Sequence, residues 1–343
     1  MRSASHLRAS LGGCRFDRVR AEEGHYESYF HRANHPTRPL AFWIRYTIFC
    51  PRGASDRAQG ELWGIFFDGE TGAHVAVKSV LPMDRCAFDR DRARALVGDA
   101  TLGDRELSGT VTTGAHTLAW ALSFDRPAVS SSDPLLLLPQ RMYDASFPKA
   151  KALVLTPNTV YRGTVTVDGR AHDIDGWTGS ENHNWGERHT DSYAWGQVAS
   201  FDGHPGSFLE CSTARLRLGG VWTPPLTVCV LRHAGEAYAL NGLVQSVRAK
   251  GSFSRAEKTW SFHSARRGVA IDARFVAPVS AFVALPYPNP PGGTKTCLNT
   301  KLAHVTVDLT RAGRPPARLE SRCRGAFELL DDVEDPSVPW AFP

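Results

Sequence analysis

The strongest constraint on the fold is a long succession of short apolar or alternating segments separated by Gly, Asp and Pro. Early examples are "LAFWIRYTIFC" (40–50), "GELWGIFFDG" (60–69) and "GAHVAVKSV" (72–80). Segments of this length that are rich in aromatic and β-branched residues and bounded by turn-forming residues are typical of β-strands. The chain is therefore predicted to be built mainly from antiparallel strands.

Three dipeptides predict the positions of hairpin turns. The segment 109–124 reverses around Thr113-Gly114, and Asp168-Gly169 is a signal for a two-residue type I′ turn. A third hairpin turns at Asp202-Gly203. Later segments such as "PLTVCVLRHAGEAYAL" and "LAHVTVDLTR" continue at the spacing of meandering strands.

Helical periodicity is scarce. "DRDRARALVG" (89–98) and "PLLLLPQRMYDA" (134–145) each predict a short helix or turn. The predicted fold class is all-β, with less than about a fifth helix against about a third in ordinary soluble proteins. With 343 residues the chain has room for two consecutive antiparallel β-barrel or sandwich domains, which we expect to meet near residues 186–205.

Composition and charge exclude several classes of protein. The chain is 42% hydrophobic and 22% charged, which is ordinary for a globular protein and unlike a disordered chain or a fibre. The formal charge is only +5, and Arg is interleaved with Asp and Glu, as in "MDRCAFDRDRARALVGD". A nucleic-acid groove needs a stripe of one sign, so no nucleic-acid partner is expected.

Cysteine use and apolar runs bear on the compartment. The seven Cys show no CxxC pair, so neither a zinc ribbon nor a full disulfide framework is expected. The start "MRSASHLRASLGG" lacks the apolar region of a secretory signal, and the run "LLLL" (135–138) is far too short to span a bilayer. We therefore expect a soluble, cytoplasmic protein without a membrane span.

The stretch "GWTGSENHNWGERHTDSYAWGQ" (176–197) is the densest run of rings, proton carriers and amides in the chain. On a strand, side chains alternate between two faces. Three sets of residues are then predicted to share a face: Glu181, His183 and Trp185; Ser180, Asn182 and Asn184; and Tyr193, Trp195, Gln197 and Ala199. Phe208 and Glu210 alternate a little further on, in "SFLEC".

If these faces converge in one barrel, they form an aromatic box that holds a His and one or two carboxyls. Aromatic faces stabilise developing carbocations. An apolar surround raises the pKa of a carboxyl, so that it can deliver a proton at neutral pH. The window is therefore predicted to be the floor of an active site.

Two other interpretations of the window stay open. His183, Glu187, His189 and Asp191 are possible metal ligands, but their spacing H-x3-E-x-H-x-D matches neither HExxH nor a zinc-finger pattern. The second alternative is that the window is a packed loop between domains, although core packing does not need so many buried polar groups. GxSxG, GxxxxGK[ST] and GxGxxG are all absent, so neither a metal nor a nucleotide cofactor is expected.

"GSENHNWG", followed by "YAWGQ" and "FLE", resembles the core motif of a lipocalin-like superfamily. That superfamily contains carotenoid 1,2-hydratase, tocopherol cyclase-like proteins and the fungal decalin-forming Diels–Alderases. The early stretch "HYESYFHRANHPTRPLAFWIRYT" also resembles its bacterial members. The resemblance implies an N-terminal β-domain, lipocalin-like or a sandwich (1–190), and a C-terminal lipocalin-like barrel (191–343). It also implies an apolar pocket near their junction and no cofactor.

The resemblance also assigns residues. The hydratase motif maps to His183, Trp185, Phe208 and Glu210. Where that pattern has Tyr-x-Asp, this chain has Phe208-x-Glu210. The phenol of a hydratase-type proton relay is thereby lost, although Glu210 can still be the acid.

We therefore hypothesise a cofactor-independent cyclase or isomerase that acts on a small, apolar, polyunsaturated terpenoid or polyketide metabolite. Glu210 or Glu181 is the predicted acid, with His183 as its partner. The residues predicted to contact the substrate are Trp63, Asn184, Trp185, Tyr193, Trp195, Gln197 and Phe208. An alkene hydratase and a non-catalytic lipocalin-like carrier of an apolar ligand are the alternatives.

Overall fold

The computed structural model describes residues 10–16, 22–127 and 133–342. It contains 64% strand and 7% helix. The prediction of an all-β fold with less than a fifth helix is therefore confirmed.

Two large antiparallel sheets and one small one make up the described chain. Sheet A runs in the order β4-β3-β2-β1-β12-β11-β9-β8-β7-β6-β5, and β10 pairs with β11. Its strands are β1 His25–Asn34, β2 Leu40–Cys50, β3 Gln59–Asp68, β4 Val75–Pro82, β5 Cys86–Phe88, β6 Ala95–Val97, β7 Ala100–Leu102, β8 Glu106–Thr113, β9 His116–Asp125, β10 Leu135–Leu136, β11 Ala150–Val167 and β12 Arg170–Gly186.

Sheet B runs in the order β18-β17-β14-β13-β24-β23-β21-β20-β19, and β22 pairs with β23. The small sheet consists of β15 Arg217–Leu218 and β16 Val221–Trp222, and α1 Leu243–Arg248 is a short helix. The strands of sheet B are β13 Ser192–Phe201, β14 His204–Arg215, β17 Leu226–His233, β18 Glu236–Leu240, β19 Lys250–Ser254, β20 Thr259–Arg266, β21 Val269–Val276, β22 Val283–Pro288, β23 Thr294–Arg311 and β24 Arg314–Asp331.

The three predicted hairpin turns are confirmed. β8 and β9 close at the pair Thr113–His116, and β13 and β14 close at the pair Phe201–His204. Asp168 and Gly169 both have positive φ, 48° and 84°, as a type I′ turn requires.

The structure corrects one of the two predicted helices or turns. Residues 90–93 form bends, and Ala95–Val97 is a strand that pairs with β5 on one side and β7 on the other. Within 134–145 the chain forms the short strand Leu135–Leu136 and a 3-10 turn at Gln140–Met142. The short helix Leu243–Arg248 was not predicted.

Each sheet buries side chains on both faces. Sheet A is nearly closed on itself, because β4 contacts β8 and β9. Phe42 and Ile44 point into this closed side, whereas Trp43 belongs to the core shared with sheet B. Burial on both faces explains why β2 is a nearly continuous apolar run rather than an alternating one.

The connection between the sheets is short. The last strand of sheet A ends at Gly186, and the first strand of sheet B begins at Ser192. Apolar residues of both sheets belong to one core cluster, among them Trp63 of β3 and Trp260 of β20. The division into domains 1–190 and 191–343 stays a prediction.

Two further expectations concern cysteines and membranes. Cys50, Cys86, Cys211, Cys229, Cys297 and Cys323 are free thiols. None of the helices within the described ranges has the length and apolar character needed to cross a bilayer.

Gly179 is required by the close approach of β1 and β12. A Cβ at this position would lie 1.7 Å from the carbonyl oxygen of Arg32, which is backbone and cannot move aside. We expect Gly179→Ala to lower the free energy of unfolding by about 3 kcal/mol, the upper end of the usual cost of overpacking. Urea denaturation measures this loss.

The matched control is Gly206→Ala in β14, where a Cβ would meet no atom within 4 Å. Its urea midpoint is expected to equal or slightly exceed that of the wild type, because Ala restricts the unfolded chain. Equal midpoints for Gly179→Ala and Gly206→Ala would contradict the steric argument.

Candidate active site

A cavity of about 220 Å³ lies between sheet A and sheet B. Strands β1, β2 and β12 line it from one side, and β13, β14, β17 and β24 line it from the other. Its walls are largely apolar, and Leu243 and Ser246 of α1 lie at its edge. The Phe, Tyr and Trp residues of the wall are Tyr26, Phe30, Trp43, Phe147, Tyr193, Trp195 and Tyr287.

Glu210 of β14 faces this cavity and is buried. The indole Nε1–H of Trp195 donates to its Oε1 at 2.8 Å, and Nε2–H of Gln197 donates to its Oε2 at 2.7 Å. Burial raises the pKa of Glu210 to about 7, against the opposing effect of these two hydrogen bonds. A substantial fraction of the carboxyl is therefore protonated at neutral pH.

The orientation of Gln197 is fixed by a buried arginine. Nε of Arg32 donates to Oε1 of Gln197 at 2.7 Å, and the hydroxyl of Ser180 donates to the same oxygen at 2.7 Å. Because arginine can only donate, the amide oxygen must face Arg32. The amide nitrogen must then face Glu210 and the side-chain oxygen of Asn182, which lies at 2.7 Å.

These groups form a polar seam between the sheets, which we define as Arg32, Asn34, Ser180, Asn182 and Gln197. Arg32 also donates to Asn34 at 2.8 Å, and Asn34 donates across to the backbone oxygen of Lys301 at 2.7 Å. Burial lowers the pKa of Arg32 to about 10, so the guanidinium remains charged at neutral pH. The polar seam thus places a fixed positive charge near Glu210.

A second carboxylate, Glu328 of β24, also lines the cavity. Lys301 lies 3.1 Å from its Oε1, Asn299 donates to the same oxygen at 2.8 Å, and the hydroxyl of Tyr193 donates to Oε2 at 3.3 Å. Lys301 neutralises this charge, so Glu328 and Tyr193 together form a polar corner in an otherwise apolar cavity.

Four predicted residues lie in the cavity wall: Asn184, Tyr193, Trp195 and Glu210. Gln197 lies behind the wall and acts on Glu210 through the hydrogen bond described above. The side chains of Asn182 and Asn184 point to the cavity, as their predicted shared face requires.

The prediction that His183 is the partner of Glu210 is wrong. His183 donates from Nδ1 to the backbone oxygen of Leu11 at 2.7 Å, and its Nε2 lies 2.8 Å from Glu27. It occupies the opposite face of β12 from Asn182 and Asn184, which turns it away from the cavity. The two faces of the window therefore do not converge in one barrel.

Glu181 shares that opposite face and does not line the cavity. Arg126 contacts both of its carboxylate oxygens at 3.0 Å, and Thr156 also donates to it. Glu181 is thus committed to Arg126 and lies outside the cavity, so the structure contradicts its role as the acid.

Three predicted substrate contacts also lie outside the cavity wall. Trp63 donates to Glu61 at 2.9 Å, and Trp185 lies under the guanidinium of Arg15 at 4.1 Å. Phe208 shares a face with Glu210 but packs in a separate apolar cluster beyond the end of the cavity. The alternation of side chains along a strand predicts which face a residue lies on, but it does not predict how far along the strand a cavity extends.

The four possible metal ligands are engaged elsewhere. His189 lies 3.1 Å from the backbone oxygen of Pro288, and Lys149 pairs with Glu187. Asp191 pairs with Arg188 at 3.3 Å. Within the described ranges no three His, Cys, Asp or Glu residues form a cluster that could hold a metal ion.

Sequence reasoning missed Arg32, Arg45, Glu328 and Lys301, all of which lie at or beside the cavity. A signal for the two arginines was present, because each interrupts a strand of otherwise largely uncharged residues, "HYESYFHRAN" and "LAFWIRYTIFC". A charged residue inside such a strand is buried only with partners or with a function.

The comparisons with known proteins support the fold. No family profile matches the chain. Two uncharacterised proteins of Mycobacterium tuberculosis strains are 24% identical over 296 residues, which is 85% of this chain and 83% of each relative.

Two solved structures resemble the chain over almost its whole length. One is described as a candidate AttH of Nitrosomonas europaea, with a TM-score of 0.56, 12% identity and coverage of 94% of this chain and 95% of the other. The second is kievitone hydratase of Nectria haematococca, with a TM-score of 0.50, 10% identity and coverage of 95% and 97%. At these identities the similarity shows a shared fold, which is lipocalin-like.

Proposed function

We propose that this protein is a cofactor-independent enzyme that protonates a carbon–carbon double bond of an apolar, polyunsaturated metabolite. Glu210 is the proton donor, and the cavity between the two sheets holds the substrate. The observation that carries this proposal is a buried carboxyl with a pKa of about 7 that faces an aromatic, largely apolar cavity. A general acid is most effective when its pKa lies near the working pH.

In a cyclisation or isomerisation, the Glu210 proton adds to one alkene carbon and leaves a carbocation on its neighbour. The rings of Trp43, Trp195 and Tyr26 belong to the cavity wall, and their π electrons can stabilise that positive charge. The π electrons of a second double bond then form the new carbon–carbon bond. Loss of a proton to the Glu210 carboxylate restores the acid, so the reaction needs no oxidant or reductant.

Hydration is the second candidate, and it has two supports. The fold resembles that of kievitone hydratase. The polar corner formed by Glu328 and Tyr193 gives water a place to bind beside an apolar substrate. Water would add to the same carbocation, and its surplus proton would return to Glu210.

Comparison of the metabolites of a deletion strain with those of its parent tests the proposal. If the protein is such an enzyme, its loss should cause an unsaturated precursor to accumulate. An unchanged set of metabolites would contradict the proposal and favour a carrier. The purified protein should then convert that precursor without added metal or nucleotide.

The same conversion in water labelled with heavy oxygen separates the two reactions. A hydration product gains the mass of one labelled water molecule, and a cyclised isomer keeps the mass of the precursor. A protein that binds the precursor and returns it unchanged is a carrier, which would overturn the proposed chemistry.

A further inference from the structure

Arg45 of β2 is a buried cation without an ion pair. Its side chain lines the cavity, and the residue is 4% exposed. Its Nε–H donates to the hydroxyl of Ser28 at 2.8 Å, and this is its one hydrogen bond to a side chain within the described ranges. The four N–H groups on its two Nη atoms have no acceptor there.

The carboxylates of the surrounding strands are committed elsewhere. Glu61 pairs with Lys78 at 3.0 Å, and Glu328 pairs with Lys301 at 3.1 Å. Neither charge is available to neutralise Arg45. The guanidinium lies 4.9 Å from the centre of the Tyr287 ring, which offsets part of the cost of burial but provides no hydrogen-bond acceptor.

The other charged groups around the cavity do not neutralise Arg45. Lys301 pairs with Glu328, and Arg32 lies close enough to Glu210 to act on its pKa, so neither carboxyl is left for Arg45. Burial lowers the pKa of Lys301. His189 adds no charge, because burial and the nearby Arg45 lower its pKa to about 3. Arg45 is therefore a guanidinium of the cavity wall that has no carboxylate partner among the described residues.

A second donor without an acceptor lies beside Arg45. Trp43 precedes Arg45 by two residues and shares its face of β2, and its indole Nε1 is buried with no hydrogen-bond partner in the described part of the chain. The side-chain oxygen of Asn184, in the same cavity wall, is also buried without a partner. Buried polar groups are normally paired, so these groups are suited to hydrogen-bond a polar ligand in the cavity.

We propose that the natural ligand is an amphipathic carboxylic acid whose carboxylate is bound by Arg45 and Trp43. A guanidinium and a carboxylate form two parallel hydrogen bonds, and the indole N–H provides a third donor. The apolar part of the ligand then extends along the aromatic wall towards Trp195 and Glu210. A hydroxyl or carbonyl group of the ligand, next to its carboxylate, can form a hydrogen bond with the side-chain amide of Asn184. That amide can present either its oxygen or its NH2 group to the ligand.

A carboxylate fits these donors better than a phosphate monoester does. Phosphate carries up to two negative charges and three acceptor oxygens, and it usually needs several cations or a row of backbone N–H groups. Here one guanidinium and one indole N–H belong to the same wall of a largely apolar cavity. This inference deepens the proposed function and rests on it only in placing the ligand in the same cavity.

Binding of acids and their methyl esters to the purified protein tests the proposal. Sorbate, cinnamate and parinarate, each with its methyl ester, provide conjugated chains of increasing size, and alkyl phosphates test the rival anion. Quenching of tryptophan fluorescence gives the affinities at a pH where the acids are ionised. We expect at least one acid to bind about tenfold more tightly than its ester, which corresponds to about 1.4 kcal/mol.

Arg45→Met keeps most of the side-chain volume and removes the charge. It is expected to bring the affinities of that acid and its ester together without weakening the ester. The matched control is Lys151→Met, which removes another cation of the cavity wall and should preserve the preference for the acid. Circular dichroism and the melting temperature verify that both variants fold.

Three results would overturn the proposal: equal affinity for acids and esters in the wild type, no binding by any acid, or an unchanged preference in folded Arg45→Met. Tighter binding of alkyl phosphates than of acids would also overturn the choice of carboxylate. Glu210→Gln should keep the preference for the acid while losing turnover. A preference for acids without any turnover therefore refutes the proposed function and leaves this inference standing.

Discussion

Replacement of Glu210 by Gln is expected to lower the turnover number by about a hundredfold or more, with substrate affinity little changed. Gln keeps the shape of the side chain and one acceptor oxygen for the hydrogen bond from Trp195 or from Gln197, but it has no transferable proton. A general acid usually contributes a factor of this size or larger. Steady-state kinetics on the accumulated precursor measure the effect, and Glu236→Gln, in an exposed ion pair, is the control.

The pH profile provides an independent measurement of the same group. Only protonated Glu210 can donate, and its pKa is raised to about 7. The value of kcat/KM should therefore fall about tenfold per unit as the pH rises above about 7. A rate that is constant from pH 6 to about pH 9 would argue against this acid.

The size of the loss also separates reaction types. A pericyclic cyclisation needs no proton, so Glu210→Gln would cost it only a few-fold. Trp195→Ala would then be the more damaging change, because it loosens the conformation imposed on the substrate. Full activity and unchanged stability in Glu210→Gln would remove Glu210 from the mechanism, and Glu181 could not replace it as donor because it pairs with Arg126 and does not line the cavity.

Glu27→Gln is expected to have the largest effect on stability. The carboxylate is fully buried, and its oxygens lie 2.8 Å from His183 and 2.9 Å from His25. It also accepts the backbone N–H of Arg15 at 2.8 Å. Gln keeps one acceptor oxygen but replaces the other by an NH2 group, so part of this buried set of donors loses its acceptor. Breaking a buried, charged hydrogen-bond network typically costs about 3 to 5 kcal/mol.

The direction of the pH dependence follows from the pKa of Glu27. Burial raises this pKa, but the hydrogen bonds from His183 and His25 outweigh burial and hold it well below the ordinary value of 4.5. A carboxyl with a depressed folded pKa stabilises the protein above its unfolded pKa, and this contribution is lost as the pH falls further. Wild-type stability should therefore decline below about pH 4.5, and the decline should be shallower in Glu27→Gln.

Urea denaturation at pH 7 and pH 4 measures both effects. Glu70→Gln is the control, because its pair with Arg38 is exposed and its urea midpoint should match that of the wild type. A Glu27→Gln protein as stable as Glu70→Gln would show that the buried cluster contributes little.

The local pattern of the sequence was enough for the strands and turns. Alternation along β9 and the pair Asp168-Gly169 depend on neighbours in the chain, and both are as predicted. The same alternation correctly separated His183 from Asn184. It could not show which of the two faces would meet sheet B. That depends on how the two sheets pack against each other, and their strands are far apart in sequence.

The candidate site was predictable only in part for the same reason. Glu210 and Trp195 are placed together by the pairing of β13 with β14, which adjacent segments imply. Arg45 and Glu328 are almost three hundred residues apart, and only the packing of the two sheets brings them to one cavity. The partner of His183 was missed because Glu27 lies 156 residues earlier in the sequence. The two residues meet only because β1 pairs with β12 in sheet A.

The polar seam limits how this protein can change over evolutionary time. Arg32 and Asn34 of sheet A are bonded directly to Gln197 and to the backbone of Lys301 in sheet B. A substitution at one end leaves a buried donor or acceptor unpaired at the other, so viable changes should be inherited as pairs. Because Gln197 also orients Glu210, lineages that acquire a new reaction should differ at several seam positions at once, and chimaeras that exchange one sheet between distant homologues should rarely be functional.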